Sequence, residues 1–173
     1  AGSYRYPNAR YLLHRLPQVV NASAESPVQV LFVAGANPAY SLQDTESVKK
    51  AFEKIPFVVS FSSYMDETAE LVDMVLPNHA FLERYEDVPA ASGFPKPIIG
   101  LAQPAIEPLF NTQHTGDVVI QLAKALGHTI GAAFPWDDYL SCLEETLGDK
   151  WDALVEAGYW VDAEFSGADW ADA

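Results

Sequence analysis

Apolar and polar positions in this chain follow two rhythms, and from position 28 onward their order describes a parallel α/β unit. Val30-Leu31-Phe32-Val33-Ala34 is an unbroken apolar run closed by Gly35-Ala36-Asn37-Pro38, the pattern of a strand buried on both faces and stopped by turn residues. From Ser41 to Ile55 the period lengthens, so that Val48, Ala51, Phe52 and Ile55 share one helix face and Lys49, Lys50, Glu53 and Lys54 the other. Phe57-Val58-Val59-Ser60-Phe61 is a second apolar strand, Asp66 to Val72 a short helix, and Met74-Val75-Leu76 a third strand stopped by Pro77. Strand-helix-strand connections of this length are right-handed, which places the three strands in one sheet. The expected fold class is α/β, a Rossmann-like three-layer domain with a mainly parallel sheet. Such sheets take ligands beyond the carboxyl ends of their strands. The turns that matter are then Gly35 to Pro38, Phe61 to Glu67 and Pro77 to Asp87.

The flanks carry weaker patterns. Leu12, Leu13, Leu16 and Val19/Val20 predict a helix over Asn8 to Val20 that Pro17 ends or kinks, followed by a connector from Asn21 to Pro27. Asn78 to Pro97 is too polar and broken for a core element, and Ile98 to Ala102, with Pro104 and Pro108 close behind, reads as an extended or edge segment. Helices are expected over Asp117 to Leu126, stopped by Gly127, over Trp136 to Leu147, stopped by Gly148, and over Trp151 to Ala157. One α/β domain spanning 1–161 is the expectation, with the acidic stretch 162–173 a mobile tail.

Composition narrows the partners. Twenty-four acidic against ten basic residues leave a formal charge of −14, which argues against binding nucleic-acid phosphates or an anionic membrane surface. No run approaches the length of a membrane-spanning helix, so direct insertion is not expected. Cys142 is the single cysteine, which leaves no internal disulfide and no cysteine-held zinc or iron–sulfur site within these residues. Its apolar helical setting reads as a packed thiol. Ala1-Gly2-Ser3 opens without Met, consistent with a processed or excised piece of a longer chain, and no residue pattern sets a compartment.

Chemistry concentrates at the sheet-edge turns. Gly35 stands alone where a dinucleotide fingerprint needs further glycines, so a standard NAD site is not expected. The turn does offer a close backbone approach at Gly35, an amide at Asn37 that donates and accepts, and a fixed φ at Pro38; it is equally a plain Asn-Pro turn. Phe61-Ser62-Ser63-Tyr64 and the following Asp66-Glu67-Thr68 present hydroxyls and helix amides suited to a phosphate or sugar, or else simple turn caps. A helical Asn78 to Asp87 would put His79 and Glu83 on one face, but no third ligand is supplied, so no metal site is assigned. No serine sits in a nucleophile elbow and no histidine beside a triad partner. No catalytic residue is expected.

Taken together, Leu31 to Pro38, Phe57 to Ala69, Val72 to Pro77, Leu82-Glu83-Arg84 and Gly116-Asp117-Val118 leading to Leu126-Gly127 resemble one family. The match in order and spacing is to the molybdopterin-guanine-dinucleotide oxidoreductases of the DMSO reductase superfamily, most closely the polysulfide/thiosulfate/tetrathionate reductase and quinone-reductase-complex branch. The resemblance covers somewhat over half the chain and one internal domain of a much larger catalytic subunit. It implies a domain that holds one guanosine-pyrophosphate arm of molybdopterin guanine dinucleotide. Gly35, Asn37 and Pro38 would meet the nucleotide after the first strand, Phe61 and Ser62 would line the guanosine pocket, and Arg84 and Asp117 would close it.

Two departures stand out: the family often carries Asp where Ser62 stands and Lys where Arg84 stands. The family's amino-terminal cysteine cluster, metal-ligating segment and carboxy-terminal cap have no counterpart in these residues, so an iron–sulfur cluster is expected only outside this chain. The resemblance further implies the remaining domains of a parent subunit, iron–sulfur and membrane-anchor partners, anaerobic respiratory electron transfer and a periplasmic, membrane-associated complex. The missing acid at Ser62 supports an alternative: a cofactor-free scaffold or docking domain of a quinone-linked redox complex.

Overall fold

A computed structural model describes residues 13–90 and 94–165 of the 173. The backbone gathers into two compact units that divide between Asn78 and His79, each with its own sheet and its own apolar cluster. Sequence reasoning grouped 1–161 as one domain. Among the described residues, strand pairing stays within each of the two sheets.

The first unit opens with a 3-10 turn, Leu13–Arg15, and helix α1, Leu16–Ala22. Pro17 lies in the first turn of α1 and so starts that helix, contrary to the expectation that it ends or kinks one; a missing N–H costs nothing there. The expected stretch before Leu13 lies outside the described residues. Strand β1, Val30–Ala34, is followed by α2, Pro38–Ser41, and α3, Thr45–Lys54, then β2, Phe57–Phe61, and β3, Met74–Leu76. All three strands have the bounds the apolar runs predict. The expected helix from Ser41 to Ile55 begins instead at Thr45, because the Asp44 carboxylate accepts from the Ser47 N–H as N-cap.

The sheet runs β1-β2-β3, parallel throughout, with Val30 opposite Phe57, Ala34 opposite Phe61 and Phe61 opposite Leu76. One face of it packs Val33 and Val58 against Val20 of α1 and Val48, Ala51 and Phe52 of α3. The other leaves Val30, Phe32, Phe57 and Met74 partly open to solvent. Between β2 and β3 the predicted short helix is a 3-10 turn, Ala69–Leu71.

The second unit contains β4, Glu86–Pro89, β5, Ile98–Ala102, α4, Thr115–Leu126, α5, His128–Ala132, α6, Tyr139–Leu147, α7, Trp151–Ala157, and β6, Tyr159–Val161. Its sheet is antiparallel, ordered β4-β5-β6. Ile98–Ala102, expected as an extended or edge segment, is extended but forms the central strand, and the polar stretch before it supplies β4. Leu101 of β5 packs with Leu143 and Leu147 of α6 and Leu154 of α7. Cys142 on α6 is half-buried, while the neighbouring Leu143 takes the core position. Gly127 and Gly148 follow α4 and α6 with positive φ, as the stop signals predict.

The start of the acidic tail is held in place: the Asp162 N–H donates to the Pro97 carbonyl, and its carboxylate accepts from the N–H groups of Glu164 and Phe165. Residues 166–173 lie outside the description. Among the described residues no helix is long and apolar enough to cross a membrane.

Candidate functional site

At the carboxyl edge of the parallel sheet, Gly35 leaves β1 with φ +61°, a conformation that favours glycine, and a Cβ there would meet nothing within 4 Å. The chain then turns at Asn37 and enters α2 with Pro38 in its first turn. The Asn37 side chain is the hub of this edge. Its amide nitrogen donates to Glu67 Oε2 at 2.7 Å, and its oxygen accepts from Thr68 Oγ1 at 2.7 Å and from the Tyr40 N–H at 3.3 Å. Thr68 is fully buried, and its hydroxyl also accepts from the Ala39 N–H at 3.0 Å. A residue after β1 and two residues after β2 are thus locked together 30 and 31 positions apart. The Asn37 hydrogen bond, then the local backbone N–H, holds the Glu67 carboxyl below its ordinary value of 4.5.

Phe61 ends β2 as a buried ring that meets Phe32 edge-on, centroids 5.8 Å apart. Ser62 directly follows, and its hydroxyl donates to the Tyr64 carbonyl at 2.8 Å and accepts from the Tyr64 N–H at 3.2 Å. It caps its own turn. Ser63 donates to the Asn78 carbonyl.

The second unit holds a hollow of about 230 Å³ lined by both of its sequence-predicted site residues, Arg84 and Asp117, together with His79, His114, Asp138 and Tyr139. Arg84 forks onto Glu86 Oε2 through Nε (3.1 Å) and Nη2 (2.8 Å), and its Nη1 donates to the His79 carbonyl. Asp117, in the first turn of α4, accepts from the Tyr139 N–H at 2.7 Å. The Tyr139 hydroxyl donates to Asp87 at 2.8 Å, and burial first, then that hydrogen bond, raises its pKa. His114 caps α4 by accepting from the Gly116 N–H and stacks on the Tyr139 ring, centroids 4.4 Å apart. Burial lowers the His114 pKa from its ordinary 6.5, against the opposing charge of Asp117.

The imagined helical pair of His79 and Glu83 does not form. The backbone turns here and enters β4. His79 Nδ1 lies 2.7 Å from the Thr112 hydroxyl, while the buried Glu83 carboxylate accepts from the Ala80 N–H (2.8 Å) and the Leu109 N–H (3.0 Å). Among the described residues no group of three or more His, Cys, Asp or Glu is placed to hold a metal.

Sequence reasoning singled out these turns but missed how they are joined. Thr68 and Glu67 passed as helix-start residues, and the local Asp66-Glu67-Thr68 pattern gave no sign of Asn37 as their partner. His114 and Tyr139 carried no signal either, since their stacking joins the start of α4 to the start of α6, 25 positions apart with α4 and α5 between them.

Comparison with known proteins bears on the ancestry of this arrangement. The model of the family described as molybdopterin oxidoreductase matches residues 13–125. The chain is 36% identical over 138 residues to the menaquinone reductase, molybdopterin-binding-like subunit, of Nitratidesulfovibrio vulgaris, covering 80% of this chain and 20% of that protein. It is 30% identical over 112 residues to the thiosulfate reductase molybdopterin-containing subunit of Salmonella typhimurium, covering 65% of this chain and 14% of that one. Among solved structures it is similar to acetylene hydratase from Pelobacter acetylenicus, with a TM-score of 0.71 and 23% identity over 84% of this chain and 20% of the other. The chain therefore spans a fifth or less of the length of these relatives. With a family match across well over half of its residues, this chain belongs to the molybdopterin oxidoreductase family.

Proposed function

We propose that this chain holds one nucleotide arm of molybdopterin guanine dinucleotide within a molybdopterin oxidoreductase subunit, and that it does no redox chemistry by itself. The observation that carries the reading is the tie between Asn37, Glu67 and Thr68, which fixes two loops at the ligand edge of a parallel sheet. On the first unit, Gly35 gives open backbone approach, Asn37 a side-chain donor, Pro38 a rigid turn, and Phe61 and Ser62 the residues beside the base. On the second, Arg84 and Asp117 line a hollow with His79 and His114 beside them. On the first unit the Asn37 donor and the apolar Phe61 ring suit an acceptor-rich nucleotide, and on the second the Arg84 guanidinium suits a phosphate. When bound, the pterin-held metal would supply electron transfer, and the residues here would bind and orient the group.

The printed names of the relatives, a menaquinone reductase subunit and a thiosulfate reductase subunit, support a place for the parent protein in anaerobic respiratory electron transfer. Its partners would then be iron–sulfur and membrane-anchor subunits of a periplasmic, membrane-associated complex. The test is titration of the 173-residue chain with guanosine diphosphate, followed by amide NMR shifts. Saturable shifts at Asn37 and Ser62 are expected, and unmoved resonances would remove the binding role.

A second reading is a cofactor-free scaffold domain of a quinone-linked complex. Two observations favour it: both hydrogen-bonding roles of Ser62 are used within its own turn, and Arg84 is already paired with Glu86. Pterin and metal analysis of the native polypeptide separates the two, since a loaded protein excludes the scaffold.

A further inference from the structure

The hydrogen bonds around Asn37 determine which way its amide faces. A backbone N–H only donates, so the Tyr40 N–H, 3.3 Å away, must meet the amide oxygen. Thr68 Oγ1 accepts from the Ala39 N–H with one lone pair, and its buried proton takes Asn37 Oδ1, 2.7 Å away, as acceptor; against an amide NH2 that proton would lose its partner. An ionised carboxylate only accepts, so the group 2.7 Å from Glu67 Oε2 must be the amide nitrogen. Turning the amide over would set NH2 against the Tyr40 N–H and the carbonyl oxygen against the Glu67 carboxylate. All three neighbours choose the same orientation. An amide oxygen accepts two hydrogen bonds and its nitrogen donates two; here both acceptor positions and one donor position are taken, and one N–H is left.

We propose that Asn37 meets a bound nucleotide as a hydrogen-bond donor only, and that Thr68, buried beneath it, is the positioning residue that fixes this polarity. The inference rests on the cofactor reading above and deepens it. The ligand atom beside Asn37 must then be an acceptor, such as a phosphate, ribose or carbonyl oxygen. The Asn37 side chain itself cannot recognise a base N–H. The Ser62 proton is spent on the Tyr64 carbonyl, so that hydroxyl adds no donor at this edge.

The test uses the whole 173-residue chain with guanosine diphosphate as the probe. In the wild type, one of the two Asn37 Nδ2 protons should shift on titration while the other stays held by Glu67. Thr68→Val removes the hydroxyl that selects the amide orientation and should weaken binding about fivefold, the loss expected for one net hydrogen bond. Thr68→Ser keeps the hydroxyl and should restore affinity to within about twofold, a rescue that mere filling of space would not give. Binding that moves neither Asn37 side-chain proton, or a Thr68→Val chain that binds as wild type, overturns the inference and leaves the cofactor reading standing. No binding to the wild type overturns both. Should Thr68→Val fail to fold, the wild-type resonances and Thr68→Ser still decide.

Discussion

The two units of this chain are built by different physics. The first stacks apolar strands in parallel and buries one face of them under amphipathic helices, so its stability sits in a conventional core of Val33, Val58, Val48 and Phe52. The second has a smaller cluster around Leu101 and Leu154 and a strand, Glu86–Pro89, whose first two residues are charged. That strand is held by pairing with β5 and by side-chain ties, Arg84 to Glu86 and Tyr139 to Asp87. A parallel strand announces itself by composition. An antiparallel edge strand needs only a partner.

The comparison can be broken first at the apolar core. Phe52→Ala removes a buried ring from the α3–sheet contact and should destabilise the chain by about 3–5 kcal/mol. Urea unfolding followed by far-UV circular dichroism measures this, and a loss below about 1 kcal/mol, far under the usual large-to-small cost, would mean that the core is not where the first unit's stability lies.

The counterpart in the second unit is Gly116→Ala. A Cβ at that position would stand 2.5 Å from the Tyr139 ring and 2.9 Å from His114 Nδ1, so the aromatic stack must shift, at a cost of about 1–3 kcal/mol. Every tryptophan of the chain falls at or beyond Trp136, within the second unit, so thermal melting followed by tryptophan fluorescence reads this change. An unchanged midpoint would show that the stack is not a constraint.

The smallest effect concerns charge. Two backbone N–H groups, from Leu109 and then Ala80, hold the Glu83 carboxyl below its ordinary 4.5. The stabilisation from this lowered pKa is complete above 4.5, the unfolded value, and is lost as pH falls through the folded one. Glu83→Gln cannot titrate, so its stability should fall less steeply than the wild type's below that pH. Parallel acid-unfolding slopes would remove Glu83 as a contributor.

Legibility followed the same divide. Strands β1, β2 and β3 could be read residue for residue from their unbroken apolar runs, although the burial of both faces that such runs suggest is not found, since Val30, Phe32, Phe57 and Met74 stay exposed. Helices ended where glycines predict, at Gly127 and Gly148. Pro17 was misread because a proline that stops one helix looks the same in sequence as one that opens the next. Residues 78–97 were set aside as irregular because Glu86 and Asp87 satisfy no periodicity test, and their partners Ala102 and Leu101 lie 16 and 14 positions further on. The candidate residues Asn37, Ser62, Arg84 and Asp117 were visible as turn and helix-start positions, whereas their hydrogen-bond commitments were not.

By itself, the sequence determined the bounds of the three parallel strands, their place in one sheet and the ancestry, since these depend on local composition and on the spacing of short segments. Tertiary structure alone decided the antiparallel sheet, the stacking of His114 on Tyr139 and the polarity of Asn37. Each of these is a contact between groups far apart in the chain, and an amide or an imidazole takes its role from whichever donor or acceptor folding brings against it.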